Sequence, residues 1–315
     1  MLSRLGAAAS VHIDRFRGAL LGLAVGDALG MPIEFCDRDS QHVTGMQAGG
    51  PFNLKVGEWT DDTSMALCLA YSLLHMRGFD AKHQMDCYSY WYRYGAYGSN
   101  GKCFDIGGTV RTAIERYLHS GDPYAGSNHP HTAGNGSIMR LAPVVLFYFR
   151  DFESAMHHAE LSSRTTHQAV EAVDACRYLA ALLLGALKGE DKSVLLGERY
   201  TPIPGYWDRY PLAPKIDDIA RGAYKTKPRD QIKSTGYVAH TLEAALWCFH
   251  RHATFAEGAL EAVNLGEDSD TTGAVYGQLA GAYYRETGIP DDWLRVLTSV
   301  QGFYQFAEDL ARAGD

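Results

Sequence analysis

The stretch Arg15-Phe16-Arg17-Gly18-Ala19-Leu20-Leu21-Gly22-Leu23-Ala24-Val25-Gly26-Asp27-Ala28-Leu29-Gly30 carries glycine at every fourth position. In a helix that spacing lines Gly18, Gly22, Gly26 and Gly30 along one face, beside an apolar set of Phe16, Leu20, Leu23 and Leu29. Glycine inside a helix costs about 1 kcal/mol relative to alanine, so its repetition needs a reason. Close approach of another helix backbone supplies one. A second run, Gly273, Gly277 and Gly281, has the same spacing. The two runs are expected to be central helices, the first over 14–30 with Asp14 as its cap and Pro32 ending it.

Two acidic clusters sit just before apolar helical runs, Thr60-Asp61-Asp62-Thr63 and Asp268-Ser269-Asp270-Thr271-Thr272. Asp and Thr are good helix N-caps, and one cluster alone would mean only that. Two of them, brought together by the glycine-faced helices, would form an oxygen-only site suited to magnesium, manganese or calcium. Glu34, in Met31-Pro32-Ile33-Glu34-Phe35, is a carboxylate enclosed by apolar neighbours.

At 315 residues, 46% hydrophobic and 21% charged, the chain has ordinary globular composition. A net charge of −8 argues against broad nucleic-acid or anionic-membrane binding, and neither partner is expected. Six cysteines without a Cys-x-x-Cys pair fit reduced thiols, hence a cytoplasmic protein, better than a disulfide scaffold or zinc site. Residues 1–13 contain no adequate apolar segment for a secretory signal, and Gly18 to Val25 is too short to span a bilayer.

Further helices are expected near 62–76, 80–94, 109–118, 152–164, 167–188, 237–250, 255–264, 272–285 and 291–311. Between them lie a polar loop at 36–59 and a proline-broken surface excursion at about 189–230. Two glycine-containing turns, Asp105-Ile106-Gly107-Gly108-Thr109 and Ala133-Gly134-Asn135-Gly136-Ser137, could present backbone N–H groups to phosphate. No strand alternation is evident. The expectation is an all-α, single-domain orthogonal helical bundle over 14–315, with 1–13 as an extension and the protein a monomer.

Taken together, Gly22-Leu23-Ala24-Val25-Gly26-Asp27-Ala28-Leu29-Gly30, Thr60-Asp61-Asp62-Thr63, Ala133-Gly134-Asn135-Gly136 with Met139-Arg140, and Asp268-Ser269-Asp270-Thr271-Thr272-Gly273 resemble the ADP-ribosylglycohydrolase family. Within it they look most like the bacterial dinitrogenase reductase-activating glycohydrolases. The resemblance implies two Mg²⁺ or Mn²⁺ ions held by Thr60, Asp61, Asp62, Asp268, Asp270 and Thr271. It also implies catalytic roles for Asp105, Glu34, Asp61 and Asp62, with Glu34 or Asp105 managing protons. Gly134, Asn135, Gly136, Ser137 and Met139 match the loop around the diphosphate and distal ribose. His167 and Tyr237 match residues lining the ADP-ribose cleft. Gly108 stands where close bacterial relatives have asparagine.

The implied activity is hydrolysis of the glycosidic bond between ADP-ribose and a protein side chain, arginine before serine. The chemistry agrees. Cations held by carboxylates suit a vicinal diol and a hydrolytic water, and glycine-loop amides suit a diphosphate. An aromatic ring suits adenine. Two other classes are open at this stage: a two-metal hydrolase acting on nucleotides, and a non-catalytic protein, binding ADP-ribose or acting in immunity.

Overall fold

The computed structural model describes residues 2–313, with side chains described from Ile13 onward. The helices are α1 (Leu2–Gly30), α2 (Asp61–Met76), α3 (Ala81–Tyr94), α4 (Gly108–Ser120) and α5 (Ala142–Phe147). They continue with α6 (Phe152–Arg164), α7 (Val170–Lys188), α8 (Lys192–Leu195), α9 (Tyr206–Arg209) and α10 (Pro214–Ala220). The last five are α11 (Val238–Arg251), α12 (Phe255–Val263), α13 (Ser269–Tyr284), α14 (Asp291–Val296) and α15 (Val300–Ala313). Among the described residues there is no named strand, only isolated bridges such as Gly134–Tyr237. The all-α expectation holds.

α1 and α13 run antiparallel through the middle with their backbones in contact. A Cβ added to Gly18, Gly22 or Gly26 would lie 2.2, 2.2 and 2.0 Å from the carbonyl oxygens of Gly281, Gly277 and Gly273. No side chain fits between the helices, which is why glycine recurs. The stretch Ile13–Ile33 is long and apolar enough to cross a membrane, contrary to the sequence estimate, but 94% of its apolar window is buried in this protein. Arg15 fastens the other end of the pair. Its Nη1 donates to the carbonyls of Ala186, Ala282 and Tyr283 at 3.0, 2.9 and 2.9 Å, joining the last turns of α7 and α13.

Several expectations need correction. α1 begins at Leu2, so Asp14 lies inside the helix and caps nothing, and residues 2–13 prolong α1; their side chains before Ile13 lie outside the described residues. α5 was not among the expected helices; it is only six residues long and carries Pro143 in its first turn, where proline is tolerated. The expected helix over 291–311 divides at Ser299, where φ is 53° and the Thr298 amide donates to Gly57 O. The segment 189–230 is more than surface: it buries Leu195, Trp207, Ile216 and Tyr224 in the apolar cluster that runs through the molecule.

Candidate active site

The antiparallel pairing carries the C-terminal end of α1 to the first turn of α13. A Cβ at Gly30 would fall 2.4 Å from Asp270 Cα, and Ser269 Oγ donates to Gly30 O at 2.8 Å. The third helix end is brought in by Asp27. Its Oδ1 accepts from Thr60 N at 2.9 Å and Thr60 Oγ1 at 3.0 Å; its Oδ2 accepts from Thr63 N at 3.0 Å and Thr63 Oγ1 at 2.6 Å. A carboxylate on one helix thus caps another, and Thr60 makes no side-chain cap of its own. Thr60 Oγ1 also stands 3.1 Å from Asp270 Oδ2, while Thr271 Oγ1 donates to Asp62 Oδ2 at 3.3 Å. The two acidic clusters are one site.

The site opens into a cavity of about 310 Å³. Glu34, Asp61, Asp105, Asp268, Asp270 and Thr271 form its acidic end, and Asp62 lies buried beneath. One oxygen each of Glu34, Asp105 and Asp270 fall within 4.8 Å of one another. Among the described residues no lysine or arginine lines the cavity. Burial, and then repulsion by Asp105, pushes Glu34 up to about 10; burial, and then Asp61, pushes Asp105 up to about 11. Asp61, Asp62 and Asp270 are raised by burial first and then by a neighbouring carboxylate, Asp27 acting on Asp61, Asp270 on Asp62 and Glu34 on Asp270. Burial also raises Asp268, against the bonds donated to it.

Burial and mutual repulsion oppose ionising all of those carboxylates without a positive counter-charge. Glu34 Oε2 and Asp62 Oδ1 are buried without a hydrogen-bond partner, and Thr60 Oγ1 has one proton for two carboxylates. Orphaned hard oxygens converging on a small polar cavity fit a divalent cation. The donor set is compatible with metal binding.

The loop at 133–139 closes the other side. Asn135 Nδ2 donates to Asp268 Oδ2 and to Thr241 Oγ1, each at 2.8 Å, tying the loop to the acidic end and to α11. Gly134 and Gly136 leave space for His167: added Cβ atoms would lie 3.2 Å from its Nε2 and 2.9 Å from its Cε1. Arg140 Nη2 donates to Thr166 Oγ1 at 2.7 Å, so that hydroxyl's proton serves His167 Nδ1 at 2.9 Å and the ring proton sits on Nε2. Burial, then Arg140, lowers His167 to about 3, which keeps the ring neutral. Met139 lines the cavity with it. Ser137 does not: its side chain turns into the core, where its Oγ accepts from Ser163 Oγ at 2.9 Å.

Tyr237 lies in an adjoining cavity of about 510 Å³ with His131 and Glu171, and the two cavities share Thr109, Gly134 and Gly236. Its hydroxyl donates to Glu171 Oε2 at 2.6 Å, and its ring meets His240 edge-on at 4.9 Å. The first turn of α4 borders both cavities through Thr109. Sequence reasoning missed Asp27 and Phe35; the first stood in the quoted motif without a role, the second was read as apolar cover.

Comparison with known proteins agrees with this arrangement. The profile of the ADP-ribosylglycohydrolase family matches residues 8–315. The ADP-ribosylarginine hydrolase Tri1 of Pseudomonas putida (strain GB-1) is 44% identical over 298 residues, spanning 95% of this chain and 78% of that protein. The ADP-ribosyl-[dinitrogen reductase] glycohydrolase of Rhodospirillum rubrum is 32% identical, over 91% of each chain. A solved structure titled ADP-ribosylglycohydrolase-related protein complex superposes with a TM-score of 0.85 at 45% identity, covering 97% of this chain and 100% of its own. An acidic site joining three helix ends, a glycine loop packed on a buried histidine, and likeness over nearly the full length lead to one assignment: the chain belongs to the ADP-ribosylglycohydrolase family.

Proposed function

We propose that this protein hydrolyses the N-glycosidic bond between ADP-ribose and an arginine side chain of a modified protein, using two divalent cations, Mg²⁺ or Mn²⁺. The supporting observation is the convergence of Thr60 and Asp62 with Asp270 and Thr271 at the acidic end of two adjoining cavities of about 310 and about 510 Å³. Relatives named for hydrolysis of ADP-ribosylarginine support the choice of acceptor.

In this reading Thr60, Asp61, Asp62, Asp268, Asp270 and Thr271 hold the cations. Cations so placed supply Lewis acidity toward the ribose oxygens and toward water. The first turn of α4 and the Gly134–Gly136 loop receive the diphosphate, since N–H groups at a helix start attract anions. The amides of Gly134 and Asn135 already donate to Thr132 O and Gly236 O, which shifts that task toward α4. Met139 and His167 pack along the cleft, and Tyr237 offers a ring for adenine. Glu34 and Asp105 share a hydrogen bond and act as one proton reservoir. As the bond between C1 and nitrogen breaks, water oxygen bonds to C1, the pair takes the water's proton, and it returns one to the leaving nitrogen. Charge on the oxocarbenium-like transition state is offset by the surrounding carboxylates.

The test is release of intact ADP-ribose from ADP-ribosyl-arginine and ADP-ribosyl-serine peptides with Mg²⁺, Mn²⁺ or chelator. Release from arginine, lost with chelator and with Asp270→Ala, is the expected outcome. AMP as product would point instead to a phosphatase-like diphosphate cut. Tight ADP-ribose binding without turnover would make the chain a binding protein.

A further inference from the structure

Phe35 lines the acidic end of the cleft and is 68% exposed, although its neighbours on either side, Ile33 and Glu34 before it and Cys36 after it, are buried or half-buried. Its backbone has φ of 63°, in the left-handed region that costs a residue with a Cβ. Exposure of a large apolar ring and an unfavourable backbone both oppose this placement, and the fold enforces it nonetheless. The Phe35 amide donates to Glu267 O at 2.7 Å, and the Glu267 amide returns a bond to Cys36 O at 2.8 Å. Glu267 has φ of 56° itself. These paired bonds join the residue after Glu34 to the residue before Asp268, so the backbone from which the ring projects is fixed relative to the carboxylates.

Gly107 and Gly108 line the same cavity, and a Cβ built at either would meet nothing within 4 Å. The acidic end is therefore open beside these glycines, and the exposure of Phe35 leaves its ring open as well. An aromatic face held beside several carboxylates selects for a flat, weakly hydrated cation over an anion or a neutral group. Adenine has its own candidate ring, Tyr237, in the adjoining cavity. We propose that the Phe35 ring is the platform for the guanidinium of the acceptor arginine, and so a residue that sets acceptor specificity. This rests on the arginine-hydrolase reading above.

The experiment measures kcat and KM on an ADP-ribosyl-arginine peptide for Phe35→Leu, Phe35→Tyr, Phe35→Trp and Phe35→Gly, with ADP-ribose affinity by calorimetry. Phe35→Leu keeps apolar bulk without a π face and should lower kcat/KM roughly fivefold to tenfold, chiefly through KM. Tyr and Trp should stay within about twofold of wild type, and ADP-ribose affinity should not change in any variant. Phe35→Gly relieves the backbone, so it should show the same KM loss with a melting temperature at or above wild type. A fully active Phe35→Leu, a parallel fall in ADP-ribose affinity, or a destabilised Phe35→Gly would overturn the assignment. A wild type inactive on ADP-ribosyl-arginine would remove the hydrolase reading and this one with it. An active wild type beside an indifferent Phe35→Leu removes this one alone.

Discussion

Asp27 is fully buried and does not line the cleft, yet it sets where Asp61 and Asp62 stand. Burial lifts its carboxyl to about 6 even though Thr60 and Thr63 donate to it. Those bonds fix the first turn of α2, from which Asp61 and Asp62 project. Groups that orient metal ligands from behind typically matter 10- to 100-fold in affinity. Asp27→Ala is expected to weaken Mn²⁺ binding by about that factor. Asp27→Asn should not restore it, because its amide N–H₂ would face groups that themselves donate. Calorimetric titration of the folded variants with Mn²⁺ checks this, and wild-type affinity in Asp27→Ala would refute it. The sequence displayed Asp27 but not its task, since its partners lie 33 and 36 positions onward and no local pattern links them. Ser137 erred the other way. A hydroxyl in a glycine loop looks like a phosphate ligand, but burial against Ser163 and Cys176 decides its direction.

At the scale of elements the sequence was most legible, because the glycine spacing states its own cause. In α13, a Cβ at Gly277 would come within 1.9 Å of Gly22 O, a backbone atom that cannot turn aside. Gly277→Ala must push α1 and α13 apart and should destabilise by about 3 kcal/mol, at the upper end of overpacking effects. Gly302, in α15, has nothing within 4 Å of its would-be Cβ. Gly302→Ala should therefore stabilise by about 0.5–1 kcal/mol through helix propensity alone. Urea unfolding of both variants separates the two effects, and equal small changes would contradict the contact between helices. Element boundaries were less legible. α5, at six residues, is too short to display a helical period, and a tertiary bond from Thr298 to Gly57 broke what periodicity alone joined between α14 and α15.

For the whole molecule, the convergence of residues 60–63 with 268–272 was inferred from the glycine faces and is what the fold delivers. Its cost was not visible in the sequence, because it arises from burying carboxylates together. Glu34 and Asp105, raised to about 10 and about 11, and the raised aspartates beside them bind protons in the folded protein that the unfolded chain gives up near pH 4. Where the folded state holds more protons, stability falls as pH rises. Metal-free protein should therefore lose stability from about pH 4 upward. Divalent cations compete with those same protons, so binding should tighten with pH and release protons. At a hundredfold excess over Kd, a ligand adds about 2.7 kcal/mol to stability. The rise in melting temperature caused by a fixed Mn²⁺ concentration should accordingly grow from pH 5.5 to pH 8.5, with metal-free protein melting lowest at the alkaline end. Thermal melts with Mn²⁺ or chelator, and calorimetry in buffers of differing ionisation heat, measure both sides. An increment independent of pH, with no proton release, would mean that these carboxylates are already ionised without a cation and that the electrostatic case for the metal site is wrong.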